Sequence, residues 1–381
     1  MHIWLICSNF AMILKTTYTI FMTKVKYTIT IHTSRTNSLR LHKTDLEYKN
    51  KPQIAQNDSV QFFMQKIVLK CVRNKKRLTL DDICEYKQST IYSQIFKSLL
   101  YLYMGNGKRV HIRSIEVSTA TKTETRSIDY KNQPLTNDFH ILKTIPNNVL
   151  LNIFDETPKG DCLRSVSSHF LKAITSKNRY FKFERLWRAF EQLAYWHEYH
   201  SALPQKPNEA QALIDMRTLI CTNPQWLPNT INCIDRLNSH NIDKLHWKRL
   251  IEANYPYTGN IQQLNHLINN FIDQNKDIRL CRVFKKTCNL RSAGLQSHNL
   301  YTTVENTIEG YRNGRLKHNE HILSLIVCKY CYFMRNKMFH GQEADFTFCF
   351  TNHTEDDDIA DLLNKILESI IIDILYCFNN I

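Results

Sequence analysis

Two hydrophobic rhythms divide the chain. Residues 24–32, KVKYTITIH, alternate apolar and polar side chains at Val25, Tyr27, Ile29 and Ile31. That is the period of a strand, whose side chains take opposite faces in turn. Residues 109–117, RVHIRSIEV, alternate in the same way, and the threonine-rich, charged stretch 119–130 reads as a second strand or a hairpin. Between them, 59–72 and 89–104 carry apolar residues at helical spacing. Phe62, Phe63, Ile67 and Val68 mark the first, and Ile91, Ile95, Phe96, Leu99 and Leu100 the second. Gly105-Asn106-Gly107 is a turn signal that stops the second.

From about residue 140 the strand rhythm fades and helical spacing takes over. Residues 178–201 predict a long amphipathic helix with Phe183, Leu186, Trp187, Phe190, Leu193 and Ala194 inward. Further helices are predicted at 207–221, 229–238, 242–254, 260–273, 276–289, 298–317, 319–340 and 355–378. Gly341 is a stop for the one before it. Thr354, with Glu355, Asp356, Asp357 and Asp358 behind it, suits the positive end of the last helix dipole. The expectation is an α+β chain in which a smaller mixed α/β domain, 22–140, precedes a connecting helical segment, 141–177, and an all-α helical bundle, 178–381. Residues 1–21 read as an extension ahead of a start at Met22, because the apolar run from Ile3 to Leu14 is too short to span a membrane and lacks the flanks of a signal peptide.

Composition narrows the function classes. Among 381 residues, glycine (8) and proline (9) are rare and 43% are hydrophobic, which excludes collagenous and globally disordered classes. A net charge of +15 points towards a polyanion, either nucleic acid or a membrane surface. Twelve cysteines are scattered with no dense framework, the pattern of buried thiols in a reducing compartment, so a cytoplasmic location is expected. Cys328 and Cys331 with Cys349 and His353 have a zinc-like spacing, yet the first two lie inside a helical run where structural zinc pairs rarely sit. No metal and no cofactor is expected. Two basic clusters stand out in the N-terminal region: Lys66, Lys70, Arg73, Lys75, Lys76 and Arg77 at the end of a predicted helix, and Lys108, Arg109 and Arg113. Near Phe96, Tyr101 and Tyr103 they suit a nucleic-acid backbone, and equally a solvated helix end.

The segment YCYFMRNKMFHG, residues 330–341, carries the chemistry. Arg335 and His340 stand five apart, about 140° around a helix, with Asn336 beside them. The bare spacing is weak evidence, since it recurs at Arg164 and His169. Cations in a last helical turn before a glycine also have an ordinary explanation in the helix dipole. A histidine beside a fixed cation and an amide nevertheless suits phosphodiester chemistry. No carboxylate cluster for a two-metal nuclease accompanies it.

This segment resembles the Arg-x-x-x-x-His motif of the HEPN superfamily, helical domains that are often ribonucleases. Asn336 follows the arginine, Gly341 follows the histidine, and the motif closes the penultimate helix. Residues 183–196, FERLWRAFEQLAYW, resemble the opening helix of the Apea-like branch, about 140 residues earlier, although Glu191 stands where that branch carries a small polar residue. The resemblance covers 178–379. It implies a metal-independent endoribonuclease with Arg335, His340 and Asn336 as catalytic residues. The histidine would move a proton, the arginine would hold the scissile phosphate, and Asn336 would orient one of them. It also implies RNA as partner, a homodimer through the C-terminal domain, and a toxin–antitoxin or antiviral setting with an antitoxin or defence partner. A HEPN-like module that binds RNA or protein without cleaving is the alternative. Arg164 and His169 lack these surroundings and are expected on the surface of a connecting helix.

Overall fold

A computed structural model describes residues 24–34, 43–46, 58–73, 79–84, 89–107, 110–129, 145–201, 208–237, 273–290, 300–314, 317–339 and 355–380, with short pieces between 241 and 271. The chain forms two compact units, which divide between Arg164 and Ser165.

The N-terminal unit holds a six-stranded antiparallel sheet. Its strands are β1 (Val25–Thr33), β2 (Lys43–Leu46), β3 (Asp58–Phe63), β4 (Lys66–Arg73), β5 (Ile112–Ser118) and β6 (Thr123–Ser127), in the order β2-β3-β4-β1-β5-β6. Alternation decides which face is buried. Tyr27, Ile29 and Ile31 of β1, Val60 and Phe62 of β3, Ile67 and Leu69 of β4, and Ile115 and Val117 of β5 all point inward. A one-turn helix α1 (Leu80–Cys84) and the 17-residue helix α2 (Thr90–Asn106) follow β4. Ser89 caps α2, and Gly107 ends it in the left-handed conformation at φ 61°, which glycine adopts without a Cβ clash. The rings of Phe62, Tyr101 and Phe154 meet with centroids 5.1–6.5 Å apart and join sheet, helix and the 3-10 turn Asn152–Phe154. The wholly buried Lys97 ammonium donates to Phe154 O and to Glu156 Oε1 at 3.0 and 2.6 Å.

The helix expected over 59–72 is instead the β3–β4 hairpin, with Met64 and Gln65 as its two-residue turn. Phe62, Phe63, Ile67 and Val68 fit helical spacing only because a tight turn separates two runs of period two. Phe62 and Ile67 are paired and buried, whereas Phe63 is paired with Lys66 on the other face. The basic cluster is therefore not a helix end. Arg73 closes the hairpin on the buried Asp58 through two hydrogen bonds of 2.9 and 2.8 Å and also reaches Thr90 Oγ1 at 2.9 Å. Lys75, Lys76, Arg77, Lys108 and Arg109 lie outside the described residues.

The helices α3 (Asn147–Leu151) and α4 (Pro158–Ile174) follow, and the division between the units falls inside α4. Arg164, expected on the surface, is instead largely buried. Its guanidinium donates to Ile153 O and Asp155 O at 2.8 and 2.5 Å and to Asp161 Oδ1 at 2.7 Å. Three-dimensional proximity makes it a staple for the turn that precedes its own helix. His169 is half-buried, 3.5 Å from Arg185, and burial with that positive neighbour lowers its pKa.

Every element described in the C-terminal unit is a helix. Its main helices are α5 (Arg179–Ser201), α6 (Glu209–Thr222), α7 (Pro228–Asp235), α8 (Ile278–Leu290), α9 (Leu300–Asn313), α10 (Asn319–Leu325), α11 (Cys331–Phe339) and α12 (Glu355–Tyr376). All six side chains expected inward on α5 are buried. Helices α5 and α12 run side by side in the same direction: Arg179 meets Asp357, Lys182 meets Glu368, and Trp196 stacks on Phe378 at 5.6 Å. Asp373, buried on α12, accepts Asn229 Nδ2, Thr230 N and Thr230 Oγ1 at 2.6–2.8 Å and anchors the start of α7. Burial raises its pKa against those hydrogen bonds. The predicted helix at 319–340 contains a π-helical turn, Ile326–Tyr330, between α10 and α11. The predicted helices at 242–254 and 260–273 fall largely outside the described residues, as do residues 1–23 and Thr354.

Candidate active site

Three helices of the C-terminal unit bring the site together. The π turn sets the phase of α11. Its wider hydrogen-bonded ring adds a residue to one turn, so every later side chain is rotated by about 100° relative to an uninterrupted helix. Ile326, Val327, Cys328, Tyr330 and Cys331 are all buried, so packing on every side holds this turn. One turn beyond it, Tyr332, Arg335 and Asn336 lie half-buried on α11.

Arg335 Nη1 donates to Asn336 Oδ1 at 2.8 Å, so the amide steadies the guanidinium. Opposite stand two carboxylates. Glu191 of α5 lies 4.0 Å from Nη2, and Glu209, the first residue of α6, lies 3.8 Å from Nη1. Both distances are ion-pair distances beyond hydrogen-bond length. Tyr332 OH reaches Glu209 Oε2 at 3.5 Å, and the Tyr332 ring packs 6.1 Å from that of Trp187. The start of α6 is fixed to α5 by the buried Glu198, which accepts the Asn208 N–H at 3.2 Å.

The two carboxyls do not ionise alike. Burial, then the neighbouring Glu209, push the Glu191 carboxyl up to about 7, against the pull of Arg335. Glu209 stands at the N-terminus of α6. Its Oε1 is buried with no hydrogen-bond partner among the described residues, and a proton on Glu191 would supply one. The pair therefore shares a proton near neutrality. Burial and both carboxylates also raise the pKa of Tyr195, one turn along α5.

Arg335 and Asn336 are thus brought together, while His340 and Gly341 lie outside the described residues. Among the described residues no group of His, Cys, Asp and Glu is arranged to hold a metal ion. Cys328 and Cys331 are buried thiols, with Cys328 pushed up to about 12 by burial and Cys331 raised well above its ordinary value. Cys349 and His353 lie outside the described residues. No described helix is long and apolar enough to cross a membrane.

Glu209 and Tyr332 were not singled out by the sequence. An acidic residue after an asparagine N-cap is ordinary at any helix start, and only the packing of α6 turns it onto Arg335. No family model, curated protein or solved structure matches this chain.

Proposed function

We propose that the C-terminal unit is a metal-independent endoribonuclease of the HEPN type, working on RNA in a toxin–antitoxin or antiviral setting. The observation that carries this reading is the fixed pair Arg335–Asn336 on α11, just ahead of His340 in the sequence, with a carboxyl raised to about 7 beside it. In the proposed reaction the ribose 2′-oxygen attacks its own phosphorus, and the bond from phosphorus to the 5′-oxygen breaks. The products are a 2′,3′-cyclic phosphate and a 5′-hydroxyl. One group must take the 2′-proton and another must supply a proton to the leaving oxygen. His340 is assigned one of these transfers. Glu191, protonated on the acid side of pH 7, is suited to the other. Arg335 balances the charge that develops on the phosphoryl oxygens, and Asn336 holds its plane.

A homodimer through this unit would bring a second Arg335 to the cleft. That matters because Glu191 and Glu209 offset the charge of the first. The same acidic pair favours the second reading, a HEPN-like module that binds RNA or protein without cleaving, with Arg335 serving as a structural counter-charge.

Incubation of the purified chain with end-labelled RNA in EDTA, beside His340→Ala, separates the two. Cleavage that survives chelation, leaves cyclic phosphate ends and disappears in the variant supports the enzyme. Intact RNA with the parent chain sinks it.

A further inference from the structure

The sheet of the N-terminal unit has a second face, opposite the core. Across one end of it the register aligns Phe63 with Lys66, Lys66 with His32, and His32 with Ser114. These four side chains therefore share a face in one row over four strands. With neighbouring strands about 4.8 Å apart, the row is about 14 Å long. Phe63 is 44% exposed and Met64 at the hairpin tip is 52% exposed, an uncommon display of large apolar side chains beside charge. The Lys66 ammonium lies over the Phe63 ring, 5.4 Å from its centroid. Arg113, the unpaired residue where the β1–β5 register shifts, is exposed and lines an open cleft of about 750 Å³ together with the row.

Two details make this a built site. The hairpin tip is tied to the central strand by a hydrogen bond from Thr33 N to Gln65 O of 2.8 Å, so the position of Phe63 is set by the sheet. The charge is also one-signed: among the described residues no carboxylate lines the cleft. Several cations elsewhere in this unit are matched, Arg73 by Asp58, Lys97 by Glu156 and Arg126 by Asp81. One row further along, Glu116 accepts from Ser118 on its own strand.

An aromatic face for a base, with cations for the backbone on either side, is the arrangement by which proteins hold single strands. We propose that this cleft binds single-stranded RNA, with a base stacked on Phe63 and phosphates drawn to Lys66 and Arg113. The choice of RNA rests on the ribonuclease reading, and the site would belong to the N-terminal unit, whereas Arg335 belongs to the C-terminal one. An anionic membrane surface is the competing occupant. It is disfavoured because the aromatic ring lines a concave, hydroxyl-bearing cleft.

The test uses the full chain carrying His340→Ala, in EDTA, and a fluorescent oligouridine of about 15 nucleotides. Phe63→Ala and Phe63→Leu are expected to weaken binding about ten-fold to a hundred-fold, and Phe63→Tyr to retain it, because stacking and not apolar bulk is what is lost. Lys66→Ala and Arg113→Ala should each lower the slope of log affinity against log salt by about 0.7. Equal binding by Phe63→Leu and Phe63→Tyr overturns the proposal. So does an oligouridine affinity that Arg335→Ala abolishes and Phe63→Ala leaves untouched. Phe63-dependent binding to phosphatidylserine vesicles without oligouridine binding overturns it in favour of a membrane. Phe63-dependent oligouridine binding by a chain whose parent cuts no RNA supports this site and removes the ribonuclease reading alone.

Discussion

Glu191 and Glu209 come from different helices and face the same guanidinium, that of Arg335, at 4.0 and 3.8 Å. The pair sets up a charge conflict that one proton resolves. Its pH dependence is therefore the most direct handle on this region.

The sign follows from the raised pKa. Glu191 moves from 4.5 to about 7 on folding, so the stability tied to its proton is complete below about pH 4.5 and is lost as pH rises through 7. Glutamine mimics the protonated carboxyl. Glu191→Gln should melt with the parent below about pH 5 and above it by roughly 1–3 kcal/mol at pH 8. Calorimetry across this range checks it, and parallel curves for the two proteins would count against the buried proton.

Arg335→Ala and His340→Ala should lose nearly all cleavage, about 10²–10⁴-fold for a proton-transfer group. Stability has to be compared at about pH 6, because at higher pH the arginine variant leaves the Glu191–Glu209 pair without its counter-charge. At pH 6 both variants should melt within a few degrees of the parent. A variant that unfolds there assigns its residue a structural role.

Arg164→Ala separates the repeated spacing from the motif. Arg164 satisfies two backbone carbonyls and Asp161, so its loss should cost roughly 1.5–3 kcal/mol. Cleavage by the folded fraction should be unchanged. Loss of activity without loss of stability would point to a second site.

Arg73→Ala tests the hairpin. It leaves the buried Asp58 carboxylate without its bidentate partner, a change worth roughly 3–5 kcal/mol. Thermal melting should register this loss. If Arg73→Ala instead keeps full stability and weakens RNA binding, Arg73 belongs to a nucleic-acid surface.

Light scattering addresses assembly. The ribonuclease reading expects a homodimer, and a strict monomer cleaving at full rate would remove the need for a second arginine.

Much of the architecture was legible in local pattern. The alternation at Val25, Tyr27, Ile29 and Ile31, the stop at Gly107, and the inward face of α5 each depend on residues within a few positions of one another, where backbone geometry alone ties spacing to direction. Asn336 beside Arg335 was likewise readable, because neighbours in sequence remain neighbours in space. The β3–β4 hairpin was not. A two-residue turn put Phe62 and Ile67 at a helical spacing, and only pairing with β1 and burial against Tyr101 and Phe154 chose the strand. Nor could local pattern bring Glu209 to Arg335, 126 positions away along the chain, or direct Arg164 back onto the turn before its helix. Those contacts depend on how separate elements pack, and on the π turn that rotates α11. Sequence spacing encodes direction around one axis, whereas charge pairing between helices needs the distance between two axes, which is set only when the core closes.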